Sequence, residues 1–162
     1  MHINAINVST EAVSTRQERL LAAYNSHDVD ELMAFFSKKV VYSNYGAGKL
    51  NRGYDALEAF FTEVFAKTED LTYESRSISG TETFTAWEYD ATFKYKETSA
   101  MMGGMPAEGQ TIKLQDAGLY WWAEEEVVAG GDPHGEGAIK EKVWKIIRCH
   151  KYGKMVEGGG KE

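Results

Sequence analysis

The chain has 162 residues, of which 43% are hydrophobic and 12% aromatic, a composition that excludes disorder and predicts one domain with a ring-lined core. Its formal net charge is −7 and its basic residues are scattered, which argues against a nucleic-acid partner. A single cysteine, Cys149, excludes an internal disulfide, and no clustered histidines or paired cysteines indicate a metal site.

The N-terminal stretch has neither the charged nor the apolar segment of a signal peptide. No apolar run approaches the roughly 20 residues that span a bilayer. We therefore expect a soluble, cytoplasmic protein with no membrane partner.

The chain is predicted to open with two short helices. A capping box at Ser14 predicts a helix that ends near Ser26, although a start as early as Ser9 also fits the sequence. A second capping box at Asp28 predicts another short helix, which follows a tight corner at His27.

The next segments are predicted to be a strand and a third helix. Residues 39–45 have the β-branched and aromatic content of a strand, and the glycine-rich stretch after them ends it. Residues 54–67 carry apolar side chains at the helical period, namely Leu57, Phe60, Phe61, Val64 and Phe65.

The second half of the chain is predicted to form four long strands, at residues 71–79, 82–97, 110–122 and 142–152. The connections at residues 98–109 and 127–140 are long and glycine-rich, as functional lids and mobile segments often are. We expect a flexible arm at residues 1–9, one domain at residues 10–152 and a disordered tail at residues 153–162.

Helices followed by long strands predict an α+β fold, in which a bent sheet, antiparallel or mixed, packs on three N-terminal helices. Such a sheet closed by helices forms a single-domain, cone-shaped α+β barrel with an apolar pocket inside. A ligand of this protein is expected to bind in that pocket.

Asp116 stands out in the segment TIKLQDAGLYWW, because a carboxylate in an apolar strand is costly unless it is paired or used. Strand alternation places Asp116, Gly118 and Tyr120 on one face. Without a partner, burial raises the pKa of such a carboxyl and suits it to acid/base catalysis near neutral pH. An ion pair with a basic residue, or a solvent-facing position at a sheet edge, is the open alternative.

Four passages of the chain point to a family when they are taken together. They are RLLAAYNSHDVDELMAFFSKKVVY, the Gly53 that precedes a phenylalanine-rich helix, WEYDATFKY followed by GGMPAEGQTI, and VWKIIRCHKY. Over about residues 14–152 the chain resembles the SnoaL-like polyketide cyclase family of the nuclear transport factor 2-like superfamily.

The resemblance implies a cone-shaped pocket, commonly in a homodimer. It implies enzymes that isomerise, cyclise or dehydrate small molecules by acid/base chemistry, with no metal ion or organic cofactor. Many fungal and bacterial members act in secondary-metabolite pathways. The superfamily also contains binding modules that catalyse nothing.

By this resemblance the Asp116 face looks into the cone, and His150 on the closing strand is its natural catalytic partner. A buried histidine bonded to a backbone carbonyl is the alternative for His150. The pattern leaves open which face of the closing strand lines the pocket. Arg148, on the same face as His150, would hold a substrate oxygen or neutralise Asp116. His134 and His27 are weaker catalytic candidates.

Six further residues are expected to bind the substrate. They are Tyr24, Tyr42, Asn44, Trp87, Tyr89 and Tyr120. On the long strand the rings alternate with Glu88 and Asp90, so the rings are expected to face the pocket and the charges to face solvent. Tyr24 and Tyr42 would donate to a developing oxyanion, or else belong to the core. Asn44 stands where ketosteroid isomerase relatives carry their base, which argues against that reaction.

We therefore expect a cofactor-independent isomerase, cyclase or dehydratase that acts on an apolar, polycyclic polyketide or terpenoid-like molecule. The alternative is a non-catalytic module of the same fold that binds a small molecule or a protein. Trp121 and Trp122 project to opposite faces of their strand, so one of them is expected to leave the pocket and support a homodimer.

Overall fold

The computed structural model describes residues 4–96, 109–130, 137 and 139–156, with side chains from residue 13 onward except that of residue 129. Its elements are α1 (Asn4–Ser26), α2 (Val29–Met33), β1 (Phe36–Asn44), β2 (Lys49–Arg52), α3 (Tyr54–Lys67), β3 (Thr68–Gly80), β4 (Phe84–Tyr95), β5 (Thr111–Gly130) and β6 (Ile139–Val156). The strands form one sheet in the order β2-β1-β6-β5-β4-β3, antiparallel except for the parallel pair of β1 and β6.

This architecture confirms the predicted α+β class, with a mixed sheet packed on three helices. α1 packs against β3, and α3 packs against β1, β2 and β3. The sheet is open, with β2 and β3 at its two edges, so the strands do not close into a complete barrel. No helix in the described part of the chain is long and apolar enough to cross a membrane.

The second and third helices form where capping and periodicity predict them. Asp28 caps α2, because its Oδ1 accepts the backbone N–H groups of Asp30 at 2.9 Å and Glu31 at 3.1 Å. α3 has the predicted bounds and buries Leu57 and Phe61 against the sheet.

The first helix begins earlier than predicted. α1 starts at Asn4 rather than near Ser9 or Ser14, so most of the expected flexible arm is helical. Residues 4–13 contain no glycine or proline that would end a helix, so the helix can extend through them toward the N-terminus. Residues 1–3 lie outside the described residues.

The last strand also exceeds its predicted bounds. β6 continues to Val156, which pairs with Lys113 of β5, so residues 153–156 belong to the sheet rather than to a tail. The length of β5 explains this, since its first residues need ladder partners. Residues 157–162 of the expected tail lie outside the described residues.

One of the two predicted loops, residues 127–140, is strand at both of its ends, and residues 131–136 and 138 within it lie outside the described residues. β5 runs to Gly130 and β6 begins at Ile139, and these two residues pair. The β-branched residues Val127 and Val128 favour this extension of the ladder. The other predicted loop, residues 98–109, lies outside the described residues apart from its last glycine.

The core lies between the helices and the face of the sheet that they cover, called the inner face below. Its largest fully buried side chains include Tyr24, Tyr42, Trp87, Tyr89 and Tyr120. The ring of Phe61 on α3 lies 5.9 Å from that of Tyr24 and 5.6 Å from that of Tyr42. The expected inward aromatic face of β4 is confirmed, and Glu88 on its other face is exposed.

A β-bulge in β6 interrupts the alternation of its side chains. Trp121 of β5 pairs with Arg148, but the next residue, Trp122, pairs with Ile146. Ile147 is therefore the extra residue, and a bulge of this kind moves every later side chain to the opposite face.

Beyond the bulge, the inward positions of β6 are Cys149 and Lys151. Cys149 is fully buried and Lys151 is 4% exposed. Arg148 and His150 consequently project from the outer face. This one-residue change decides which charged side chain of β6 reaches the interior.

Candidate active site

A cavity of about 90 Å³ lies between the inner face of the sheet and α3, and it opens to solvent. Its walls are mainly rings and aliphatic side chains from β1, α3, β3, β4 and β5. Among the described residues that line it, Asp116 and Lys151 carry the formal charges. A molecule in the cavity would therefore meet these two charged groups.

Asp116 projects from β5 into the cavity. It is partly buried, and its register partner on β6 is Gly153. A side chain at position 153 would collide with Asp116 Oδ1, so the glycine leaves the space that the carboxylate occupies. Asp116 Oδ1 is buried and accepts no hydrogen bond from the described residues.

Burial raises the pKa of the Asp116 carboxyl above its ordinary value of 3.8. The Lys151 ammonium group and the Tyr89 hydroxyl oppose this rise, and Asp90 adds to it. Within the described part of the chain, Asp116 belongs to none of the ion pairs. A carboxyl with a raised pKa and no ion pair is suited to accept and return a proton near neutral pH.

Lys151 is the second charged group of the cavity, and no pattern in the sequence indicates it. Its Nζ atom lies 4.2 Å from the ring centroid of Tyr24 and 4.8 Å from that of Tyr89. The ring centroids of Tyr42 and Tyr73 are each 6.0 Å away. The faces of tyrosine rings attract a cation, and we call these four rings the tyrosine cage.

The hydroxyl groups of the tyrosine cage stay protonated at neutral pH. Burial raises the pKa of Tyr24, Tyr42, Tyr73 and Tyr89. Burial also raises the pKa of the nearby Cys149 thiol to about 12. The cage and the thiol therefore bring no negative charge to Lys151.

The residues expected to bind substrate divide into two groups. Tyr42, Asn44 and Tyr89 line the cavity, whereas Tyr24, Trp87 and Tyr120 are buried in the core around it. Trp87 Nε1 donates to Ser75 Oγ at 2.9 Å. Asn44 Oδ1 accepts the backbone N–H of Ala47 at 3.0 Å, so this side chain also shapes the turn after β1.

The structure does not bring His150 and Arg148 to Asp116. Both project from the outer face because of the bulge in β6. The His150 ring lies 4.9 Å from that of Trp121 and 5.6 Å from that of Tyr45. The Arg148 guanidinium lies 5.9 Å from the Trp121 ring. The expectation that these two residues lie beside Asp116 is wrong.

Neither of the other two histidine candidates is among the described residues that line the cavity. His27 Nε2 lies 2.6 Å from the carbonyl oxygen of Leu71, a contact that joins the helix corner to β3. His134 lies outside the described residues. Within the described ranges, no group of three or more His, Cys, Asp or Glu side chains is arranged to hold a metal ion.

Comparison with known proteins finds a matching family. The family model of the SnoaL-like domain matches residues 18–130. The cyclase aurE of Calcarisporium arbuscula is 26% identical over 119 residues, which cover 73% of this chain and 82% of that protein.

Solved structures share the fold at lower identity. A SnoaL-like polyketide cyclase from Agrobacterium tumefaciens strain C58 is 18% identical with a TM-score of 0.57, covering 83% of this chain and 85% of that one. A ketosteroid isomerase-like protein from Erwinia carotovora atroseptica SCRI1043 is also 18% identical, with a TM-score of 0.56, covering 92% of this chain and 96% of that one. At these identities the likeness establishes the fold alone.

Proposed function

The chain belongs to the SnoaL-like domain family, and we propose that it is a cyclase that closes a ring in a polyketide chain by acid/base chemistry at Asp116. The similar protein of Calcarisporium arbuscula bears the name of a cyclase, which supports this reaction class. The observation that carries the proposal is the Asp116 carboxylate, which lies without an ion pair among the described residues of a ring-lined cavity.

In the proposed reaction Asp116 acts first as a base and then as an acid. Its carboxylate takes a proton from a carbon between two carbonyl groups, and the C–H electron pair forms an enolate. The enolate carbon attacks another carbonyl of the same chain, which makes a C–C bond and an alkoxide. Asp116 then returns the proton to the alkoxide, so the ring closes without gain or loss of atoms. A raised pKa suits both steps because one group must give and take a proton at the same pH.

The size of the cavity bears on the substrate. About 90 Å³ is less than the roughly 150 Å³ that holds a benzene molecule in a protein core. The cavity therefore holds only part of a substrate, and a flexible chain can bring its reacting carbons to Asp116 through the opening more readily than a rigid polycyclic system can. We propose a linear polyketide, whose remaining length extends through the opening, rather than a polycyclic or terpenoid-like substrate.

Replacement of Asp116 tests the proposed function. The wild-type protein is incubated with linear poly-β-keto esters of increasing length, and cyclised products are measured by chromatography and mass spectrometry. Asp116→Asn should reduce kcat by about 10²–10⁴-fold, because the amide cannot accept the proton.

Glu88→Gln is the matched control. Glu88 is exposed on the outer side of β4, where its Oε2 accepts a hydrogen bond from Ser77 Oγ at 2.6 Å. This variant should retain wild-type turnover. Absence of cyclised product with the wild type, or full turnover by Asp116→Asn, would reject the proposal.

We also propose that two copies of the chain associate through the outer face of the sheet. Five rings follow one another there across three strands and the turn after β1, and we call them the outer aromatic row: Phe84, Trp121, His150, Tyr45 and Tyr152. Tyr45 is 57% and Tyr152 46% exposed, and their rings stack at 4.7 Å. Exposed apolar patches of this kind commonly mark protein interfaces.

A further inference from the structure

Lys151 is a lysine in the middle of the sheet. Its strand, β6, lies between β1 and β5, and Lys151 pairs with Asn44 on one side and Gly118 on the other. Its side chain is 4% exposed. Lysine is almost never buried to this degree unless it is paired, so its position requires an explanation.

The ammonium group of Lys151 has donors that the protein leaves unused. Its Nζ atom forms no hydrogen bond or ion pair with any residue in the described ranges. The tyrosine cage covers part of the ammonium group with ring faces, which attract the charge but leave its three N–H donors unpaired. Because Lys151 also lines the cavity, a ligand there can accept these hydrogen bonds.

The charges that face Lys151 change during the proposed reaction. Burial lowers the pKa of the Lys151 ammonium group, and the Asp116 carboxylate opposes this fall. The thiol of Cys149 and the hydroxyl groups of the cage are neutral, so Asp116 supplies the negative charge among these neighbours. When Asp116 takes a proton from the substrate, that negative charge moves to the substrate oxygen. A cation at Lys151 then faces a new anion among the rings that line the cavity, where the attraction is stronger than in bulk water.

We propose that Lys151 is a second catalytic residue, whose ammonium group binds the substrate oxygen that becomes negative when Asp116 removes a proton. This inference rests on the proposed function and names its substrate class, namely carbonyl compounds with a C–H group between two carbonyl groups. The C–H pair forms a C=C bond, the carbonyl π pair moves to oxygen, and the proton goes to Asp116. Lys151 keeps its own protons. Removal of such an oxyanion donor costs about 10²–10³-fold in kcat.

The binding of 4-nitrophenol tests this role without turnover. Its phenolate oxygen resembles an enolate oxygen, and the phenolate absorbs visible light where the neutral phenol does not. Wild-type protein should bind the phenolate form, so the bound probe ionises at lower pH than the free probe. Lys151→Met should bind the phenolate about tenfold to hundredfold more weakly, the range expected for a lost hydrogen bond to a charged group.

Two variants serve as comparisons. Lys154→Met replaces an exposed lysine three positions further along β6 and should bind the phenolate like the wild type. Asp116→Asn should bind the phenolate more tightly, because it removes a negative charge near the probe. Circular dichroism checks that each variant is folded.

Two outcomes would overturn the proposal. One is that the wild-type protein binds no 4-nitrophenol, or binds only its neutral form. The other is that a folded Lys151→Met variant binds the phenolate as tightly as the wild type does. The wild-type titration needs no variant, so it remains a test if Lys151→Met does not fold. Lysine-dependent phenolate binding without turnover of any poly-β-keto ester would reject the cyclase reaction and keep the oxyanion site.

Discussion

The position of the Asp116 carboxylate depends on the residue that faces it across the ladder. Gly153 has no side chain, and a Cβ atom there would overlap Asp116 Oδ1. Gly153→Ala should therefore turn the carboxylate away from its place in the cavity while the backbone stays in register. Because a displacement of about 1 Å at a reacting group can cost roughly 10²-fold in rate, we expect a loss of kcat of that order.

Gly130→Ala is the control for this substitution. Gly130 also lies in the β5–β6 ladder, and a Cβ atom there would meet nothing within 4 Å. Steady-state kinetics on the two alanine variants should separate them, with Gly130→Ala at wild-type rate. Equal rates for both variants would show that the position of the Asp116 carboxylate does not limit the reaction.

The raised pKa of Asp116 also predicts how stability depends on pH. The folded protein binds the Asp116 proton more tightly than the unfolded chain does, so protonation of Asp116 stabilises the fold. This stabilisation is fully present below a pH of about 3.8, the ordinary pKa of an aspartate carboxyl. It is lost as the pH rises through the folded-state pKa. Asp116→Asn cannot ionise and avoids the loss. Its free energy of unfolding should exceed that of the wild type at neutral pH, and the difference should shrink toward zero in acid.

Urea unfolding of both proteins across this pH range measures that difference, in which the contributions of the other carboxyl groups cancel. An Asp116→Asn variant that is less stable than the wild type at neutral pH would contradict the prediction. Asp116 would then be a structural partner of Lys151 rather than a group held in an unfavourable charged state.

At the scale of single residues, the sequence indicates Asp116 as a site residue but does not indicate Lys151. Asp116 was predicted because an acidic residue in an apolar strand is conspicuous and energetically costly. Lys151 was not, because a lysine in a polar-looking strand is ordinarily a solvated residue. Its burial follows from the tyrosine cage, whose rings come from α1, β1, β3 and β4 and meet only in the folded protein.

Among the elements, alternation predicted the faces of β4 and β5 but failed in β6. Both predicted strands are regular where they pair with each other, from Phe84 with Trp121 to Lys94 with Thr111. In β6 the extra residue Ile147 reverses the faces that follow it. A bulge depends on the fit between two strands, so the sequence of one strand does not reveal it. Alternation leaves open which face of β6 lines the cavity, and the bulge places Lys151 there rather than His150, which the resemblance implies.

Local sequence patterns also do not predict where several of the strands begin and end. β2 has four residues in a glycine-flanked stretch and exists because it pairs with the end of β1. The outer ends of β5 and β6 support each other in the same way. The helix α3, by contrast, has strong periodicity of its own, and its predicted bounds are confirmed.

For the whole molecule, association through the outer aromatic row predicts a dimer that a single charge can break. Tyr152→Glu places a carboxylate in the proposed interface, where it would lose water without gaining a partner. The net charge of −7 on each copy adds repulsion. We expect the dissociation constant to rise by at least about 10²-fold, since the desolvation of a charge costs several kcal/mol.

Light scattering coupled to size-exclusion chromatography at micromolar concentration measures this change. Ala66→Glu adds the same charge at an exposed position on α3, on the opposite side of the sheet, and should remain dimeric. A wild-type protein that is monomeric under these conditions, or a Tyr152→Glu variant that stays dimeric, would contradict the proposed interface. Because the cavity lies on the inner face, Tyr152→Glu should keep its turnover, and this separates assembly from catalysis.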